Sequence, residues 1–99
     1  MKIILAPAAI AELQEISDYI AADNPERAAT FVAELLDHCD SLAEMPRRFP
    51  LVPRYEHWGI RRCVHGNYLI FYRVREEAVE IVHVLHRARD YESLLFADA

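Results

Sequence analysis

One apolar run near the end of the chain finishes in His86, Arg87, Arg89 and Asp90. Histidine moves protons near neutral pH, arginine binds phosphate or carboxylate, and aspartate orients a neighbour. Arg62 and Arg73 are further cations upstream, so the set has the composition of an acid–base site acting on a phosphodiester. The same residues equally describe the wet end of a β-hairpin, or the rim of a surface that meets a partner. Residue type alone leaves the three readings open.

Other chemistries have less to draw on. His38, His57, His65, His83 and His86 show no tight ligand spacing, and Cys39 and Cys63 form no Cys-x-x-Cys pair. A structural zinc site needs four converging ligands, so no metal is expected, and no other cofactor. Ser17, Ser41 and Ser93 fall in helix or tail patterns, outside any strand–turn–helix elbow. There is no glycine-rich phosphate loop. The two cysteines read as small core side chains.

The net charge of -5 is unevenly distributed. Residues 1–46 set two cations against nine acids, whereas residues 47–75 set seven arginines against Glu56 alone. An Arg-rich stretch after an acidic half suits an anionic partner, or arginines decorating an exposed sheet. The overall acidity disfavours tight nucleic-acid binding, and no sequence-specific nucleic-acid contact is expected. Met1 leads into "KIILA" without a cleavage-type segment, and the longest apolar run is too short to cross a membrane. A cytoplasmic setting follows as the expectation. At 99 residues, 54% apolar and 27% charged, the chain suits one domain over 1–99 that buries a core without disulfides.

These residues must be positioned by a small set of elements. "KIIL" reads as a strand that ends at Ala6-Pro7, and Pro7 suits the first turn of a helix. Ala9, Leu13, Ile16 and Ile20 recur at helical steps. Asn24 and Pro25 then cap and open a second helix to about Glu44, with Ala28, Phe31, Leu35, Cys39 and Leu42 on one stripe. So short a connection makes the two helices an antiparallel hairpin. Residues 46–58 hold three prolines and several aromatic residues and read as an ordered loop. Three strands follow: "IRRCV", a Gly66-Asn67 turn, "YLIFYRV", a turn at "REEA", and "VEIVHVLH". "DYESLLF" reads as a short helix or an extended tail. The order β-α-α-β-β-β gives an α+β fold, an N-terminal helical hairpin packed on a mostly antiparallel sheet.

Strand alternation then assigns the faces. With regular hairpins, Val64 pairs with Leu69, Arg62 with Phe71, Phe71 with Val82, Leu69 with Val84, and Arg73 with Glu80. One face carries Leu69, Phe71, Val82, Val84 and His86 with Arg62 and Arg73; the other carries Cys63, Ile70, Tyr72, Val79, Ile81, His83 and Leu85. Both faces are apolar, and one helical hairpin covers only one. The loop at 46–58 and the tail, or another chain, must shield the second. An apolar face left open marks an interaction site, which makes Arg62, Leu69, Phe71, Arg73, Val84, His86, Arg87 and Arg89 the candidate partner-binding residues.

The segments "YIAADNPERAATFVAELLDHCDSLAEMP", "GNYLIFYRV" and "VEIVHVLHRARD" together resemble the ParE branch of the ParE/RelE superfamily, toxins of type II toxin–antitoxin modules. The resemblance covers nearly the whole chain and implies the same α+β fold. It also implies a ParD-like antitoxin that neutralises the toxin in a hetero-oligomer, and DNA gyrase as the target. RelE-like members resemble ribosome-dependent mRNA endonucleases, and their pattern tests the alternative. The catalytic arginine of that pattern falls on Leu69 and its C-terminal tyrosine near Leu95, while Arg89 and Arg62 match basic positions. Leucine neither binds phosphate nor carries a proton, so no catalytic residue is expected and the chain is read as a binding inhibitor. The alternatives are the endonuclease and a non-toxic relic that only binds the antitoxin.

Overall fold

In a computed structural model the structure describes residues 1–96; positions 97–99 of the expected domain lie outside the described residues. Strand β1 (Lys2–Leu5) leads through Ala6 into α1 (Pro7–Ala21). Helix α2 (Pro25–Ser41) opens as its sequence requires: Asn24 Oδ1 accepts the Arg27 amide and Pro25 occupies the first turn. Strands β2 (Ile60–His65), β3 (Tyr68–Arg75) and β4 (Ala78–His86) follow, and α3 (Tyr91–Phe96) closes the described chain. The sheet order is β1-β4-β3-β2, with β1 parallel to β4 and the other pairs antiparallel.

Both hairpin turns are tight. Gly66 and Asn67 link His65 to Tyr68, with Gly66 at φ +59°, where a residue without Cβ is unstrained. The second turn is shorter than the four residues expected, because Arg75 still pairs with Ala78 and only Glu76 and Glu77 lie between.

Three expected pairings hold, namely Val64 with Leu69, Arg62 with Phe71, and Arg73 with Glu80. Two do not. Phe71 lies opposite His83 and Leu69 opposite Leu85, because β4 holds an extra residue, Val82, between the partners of Phe71 and Tyr72. The bulge coincides with a change at the sheet edge. β1 ends where Leu5 pairs with Ile81, and beyond it β4 has no outer strand among the described residues. The Glu12 carboxylate of α1 fills that place, accepting the Val84 amide at 2.9 Å and His83 Nδ1 at 2.7 Å. A bulge lets one carboxylate serve both groups.

The bulge decides which side chains face which layer. Val84, expected on the open face, packs instead with Leu13, Ile16, Leu35, Cys39, Ile70 and Tyr72 under the helical hairpin. Leu85 takes the opposite side, with Val52, Ile60, Leu69, Phe71 and Phe96. That second layer is closed by the chain itself. The loop before β2 wraps the sheet edge, with Val52 N–H donating to Ile60 O and Arg62 N–H to Pro50 O. Arg61 fixes its start by donating to the carbonyls of Phe49 at 2.7 Å and Arg47 at 3.2 Å. Tyr55 and Phe96 stack in parallel with centroids 3.9 Å apart, and α3 lies over Phe71 through Tyr91. The expectation of an open apolar face is therefore corrected: Phe71 has no exposed surface and Leu69 has 8%.

Candidate functional site

The eight candidate residues do not share one surface. Leu69 and Phe71 lie beneath α3, and Val84 lies under the helices. Arg62 donates to the Tyr91 hydroxyl at 3.0 Å and helps hold α3 in place. Arg73 meets Glu80 across the β3–β4 hairpin at 2.6 Å, and that hydrogen bond holds the Glu80 carboxyl below the ordinary carboxylate value. What remains at the surface is the turn after β4, with His86, Arg87 and Arg89 exposed.

The geometry of that turn answers for two of the four residues that looked like an active site. His86 Nδ1 accepts the Ala88 amide at 3.1 Å, and the Arg89 amide donates to His86 O at 2.9 Å, so His86 closes the turn. Asp90 accepts from the Ser93 hydroxyl at 2.6 Å and from the Ser93 amide at 3.4 Å, as a residue starting a helix does. These bonds hold its carboxyl below the usual value. Both groups have local partners, His86 within the turn and Asp90 at the start of α3. The Arg87 amide is tied to Asn67 O at 2.8 Å, but the guanidinium groups of Arg87 and Arg89 meet no acceptor among the described residues.

Beside this turn runs a groove that the sequence reading missed. Tyr19 and Ile20 reach it from the end of α1, Phe31 from α2, and Tyr68 from the start of β3, with Arg27 and His86 at the rim. Its volume is about 690 Å³. Phe31 and Tyr68 lie 5.6 Å apart between ring centroids, and His86 meets Tyr68 edge-on at 5.4 Å. Tyr19 stood in the sequence as an aromatic residue off the apolar stripe of α1, which was the one available signal.

One further polar pair lies partly buried between α2 and β2. His38 Nδ1 and His65 Nδ1 are 2.9 Å apart, so one ring donates and the other accepts. Burial, with His65 and Arg48 nearby, holds the His38 imidazole below its ordinary value. Burial also pushes the Cys39 thiol up to about 12 and that of Cys63 to about 11, which keeps both as inert thiols. Among the described residues no group of three or more His, Cys, Asp or Glu is placed to hold a metal ion. No helix among them is long and apolar enough to cross a membrane.

The fold and its surfaces can be set beside known proteins. No curated protein matches the chain. A solved structure described as "Chromosomal ParDE TA system from P. aeruginosa" superimposes with a TM-score of 0.74 at 20% identity, over 87% of this chain and 95% of that one. At that identity the likeness speaks for the shared fold, two helices against a mixed four-stranded sheet. The family model described as "ParE toxin of type II toxin-antitoxin system, parDE" matches residues 3–91, from β1 to the start of α3. The chain therefore belongs to the ParE toxin family of type II toxin–antitoxin systems.

Proposed function

We propose that the protein is a cytoplasmic toxin that arrests DNA gyrase by binding it, and that a ParD-like antitoxin encoded beside it holds it inactive in a hetero-oligomer. The observation that carries this reading is the family match over residues 3–91. The chemistry of the sheet supports it against the endonuclease. Leu69 stands where that activity would place an arginine, and it is buried beneath α3. Leu95 packs against the same cluster. Arg62 matches a basic position of the nuclease pattern, yet its guanidinium is taken up by the Tyr91 hydroxyl.

Induced expression of the chain alone, followed by two readouts, tests the reading. Growth arrest with a DNA-damage response, and loss of supercoiling by purified gyrase on addition of the protein, are the expected results. Cleavage of ribosome-bound mRNA that disappears with Arg89→Ala would transfer the function to the endonuclease. Antitoxin binding without growth arrest would identify a relic that has kept only its partner.

A further inference from the structure

We propose that the outer edge of β1 pairs with β1 of a second copy of this chain, the two strands running antiparallel about a two-fold axis at Ile4. Two four-stranded sheets then join into one, with both helical hairpins on the same face. The proposal is independent of the toxin reading, because it rests on the edge alone.

The chain treats its two sheet edges differently. At β2 the preceding loop lies along the strand, with Val52 N–H donating to Ile60 O and Arg62 N–H to Pro50 O. At β1 no segment among the described residues does so. The Lys2 and Ala6 amides donate inward, to Glu77 O at 3.3 Å and Ile81 O at 2.9 Å, and β1 keeps a regular parallel register with β4. Backbone groups alternate in direction along a strand, so the N–H and C=O of Ile3 and Leu5 point outward. They meet no partner among the described residues. Sheet edges are ordinarily guarded by charge, proline or a bulge, yet "KIIL" carries only Lys2. The free stretch is also bounded, because Glu12 takes the place of an outer strand at His83 and Val84.

Apolar surface gathers at the same edge. Ile3 and Leu5 pack toward the helical hairpin, which leaves Ile4 on the other face with 43% of its surface exposed. On the helical side Ile10, 55% exposed, shares a cleft with Leu5, Val32 and Leu36. A strand added to β1 is therefore met by aliphatic side chains on both faces of the sheet.

The register selects a second copy as that strand. With Ile4 opposite its own copy, Ile3 of each strand lies opposite Leu5 of the other, and each of these pairs exchanges two hydrogen bonds. Every outward N–H and C=O of Ile3 and Leu5 is then satisfied by one rotation, with isoleucine on isoleucine at the axis. An axis at Ile3 would set Lys2 against Ile4, and an axis at Leu5 would set Ile3 against Pro7, which has no N–H to give. The edge thus completes itself in one register.

The test is sedimentation of the full-length protein over a concentration series reaching roughly millimolar, because so short an edge makes a weak contact. A monomer–dimer equilibrium is expected. Ile4→Lys and Ile4→Glu each set like charges face to face at the axis and should weaken self-association roughly tenfold or more. An equimolar mixture of the two should form a heterodimer about as tight as the parent dimer, since the charges are then opposite. Thermal melts of each variant confirm folding. Ile4→Cys is the milder probe. Oxidised glutathione, taking up the two electrons and two protons, should join two copies through a disulfide at that position. Lys2→Cys should not cross-link, because its copies lie on the order of 13 Å apart along the paired strands. A parent that stays monomeric throughout, with no Ile4→Cys cross-link, overturns the proposal. So does a dimer whose affinity is indifferent to Ile4→Lys, or a Lys/Glu mixture of folded variants that does not associate. Loss of binding to the small protein encoded beside it on Ile4→Lys, with no self-association of the parent, would assign the edge to that other chain and overturn the proposal equally.

Discussion

Phe71 is read differently once its surroundings are known. Its ring is wholly enclosed between Val52, Ile60, Leu69, Leu85 and Phe96, with Tyr91 tilted over it at 5.0 Å. Truncation leaves a cavity that rigid strands cannot close. Phe71→Ala is therefore expected to cost about 3–5 kcal/mol, read as a lowered urea midpoint at unchanged slope. An unaltered midpoint would mean that α3 does not cover the face. The His38–His65 contact makes a second prediction at this scale. The folded state holds the His38 imidazole below its ordinary value, so between that depressed value and about 6.5 the unfolded chain binds the proton more readily. Stability is thus fully present above about pH 6.5 and declines as pH falls below it. His38→Gln should flatten that decline relative to the parent, in melts collected from neutral to mildly acidic pH. A decline of equal steepness in both proteins would place the linkage elsewhere.

Among the elements, α3 is the one whose existence depends most on its neighbours. A helix of six residues is far below the length at which an isolated helix persists in water. It is kept by the Tyr55–Phe96 stack, the Arg62–Tyr91 hydrogen bond, and Glu92, which accepts from Arg54 and from the Tyr55 hydroxyl at 2.9 Å. Tyr55→Ala removes the stack and the hydroxyl together. Amide exchange over 91–96 should then rise by an order of magnitude or more, while exchange in β3 and β4 changes much less. Equal rates in parent and variant would show that the stack does not hold the helix. Helix α2 has the opposite character, since its start is written locally. Asn24→Ala removes the acceptor of the Arg27 amide and should lower stability by about 1 kcal/mol in chemical denaturation.

Over the whole molecule, one sheet carries two apolar layers, the helical hairpin on one side and the loop with α3 on the other. The central strands β3 and β4 contribute to both, so neither layer has a core without them. The two layers should unfold together. Trp58, the single tryptophan, lies edge-on to Phe96 at 5.5 Å and reports the α3 side, whereas far-UV circular dichroism reports mainly the long helices. Both signals should give the same midpoint, and Leu35→Ala, fully buried under the hairpin, should shift both by the equivalent of about 2–5 kcal/mol. Separate midpoints would show that the α3 layer opens on its own.

The amino-acid sequence by itself determined the elements and their order, because each is set by local rules. Pro7, Asn24 and Pro25 start helices, the steps from Ala9 to Ile16 and from Ala28 to Leu42 give them an apolar side, and Gly66-Asn67 makes a hairpin. It also carried the family resemblance, because that rests on spacing within contiguous segments. Only the tertiary structure decided which surface is free. The bulge at Val82 goes with Glu12, more than seventy residues away, reaching His83 and Val84 where β1 stops, and strand alternation cannot register so distant a carboxylate. The cover over Leu69 and Phe71 likewise depends on α3 and the loop meeting across the sheet, contacts between segments that no local period connects. Tyr19, Phe31, Tyr68 and His86 become one groove for the same reason: four elements converge there, and each residue alone is merely an aromatic on its own segment.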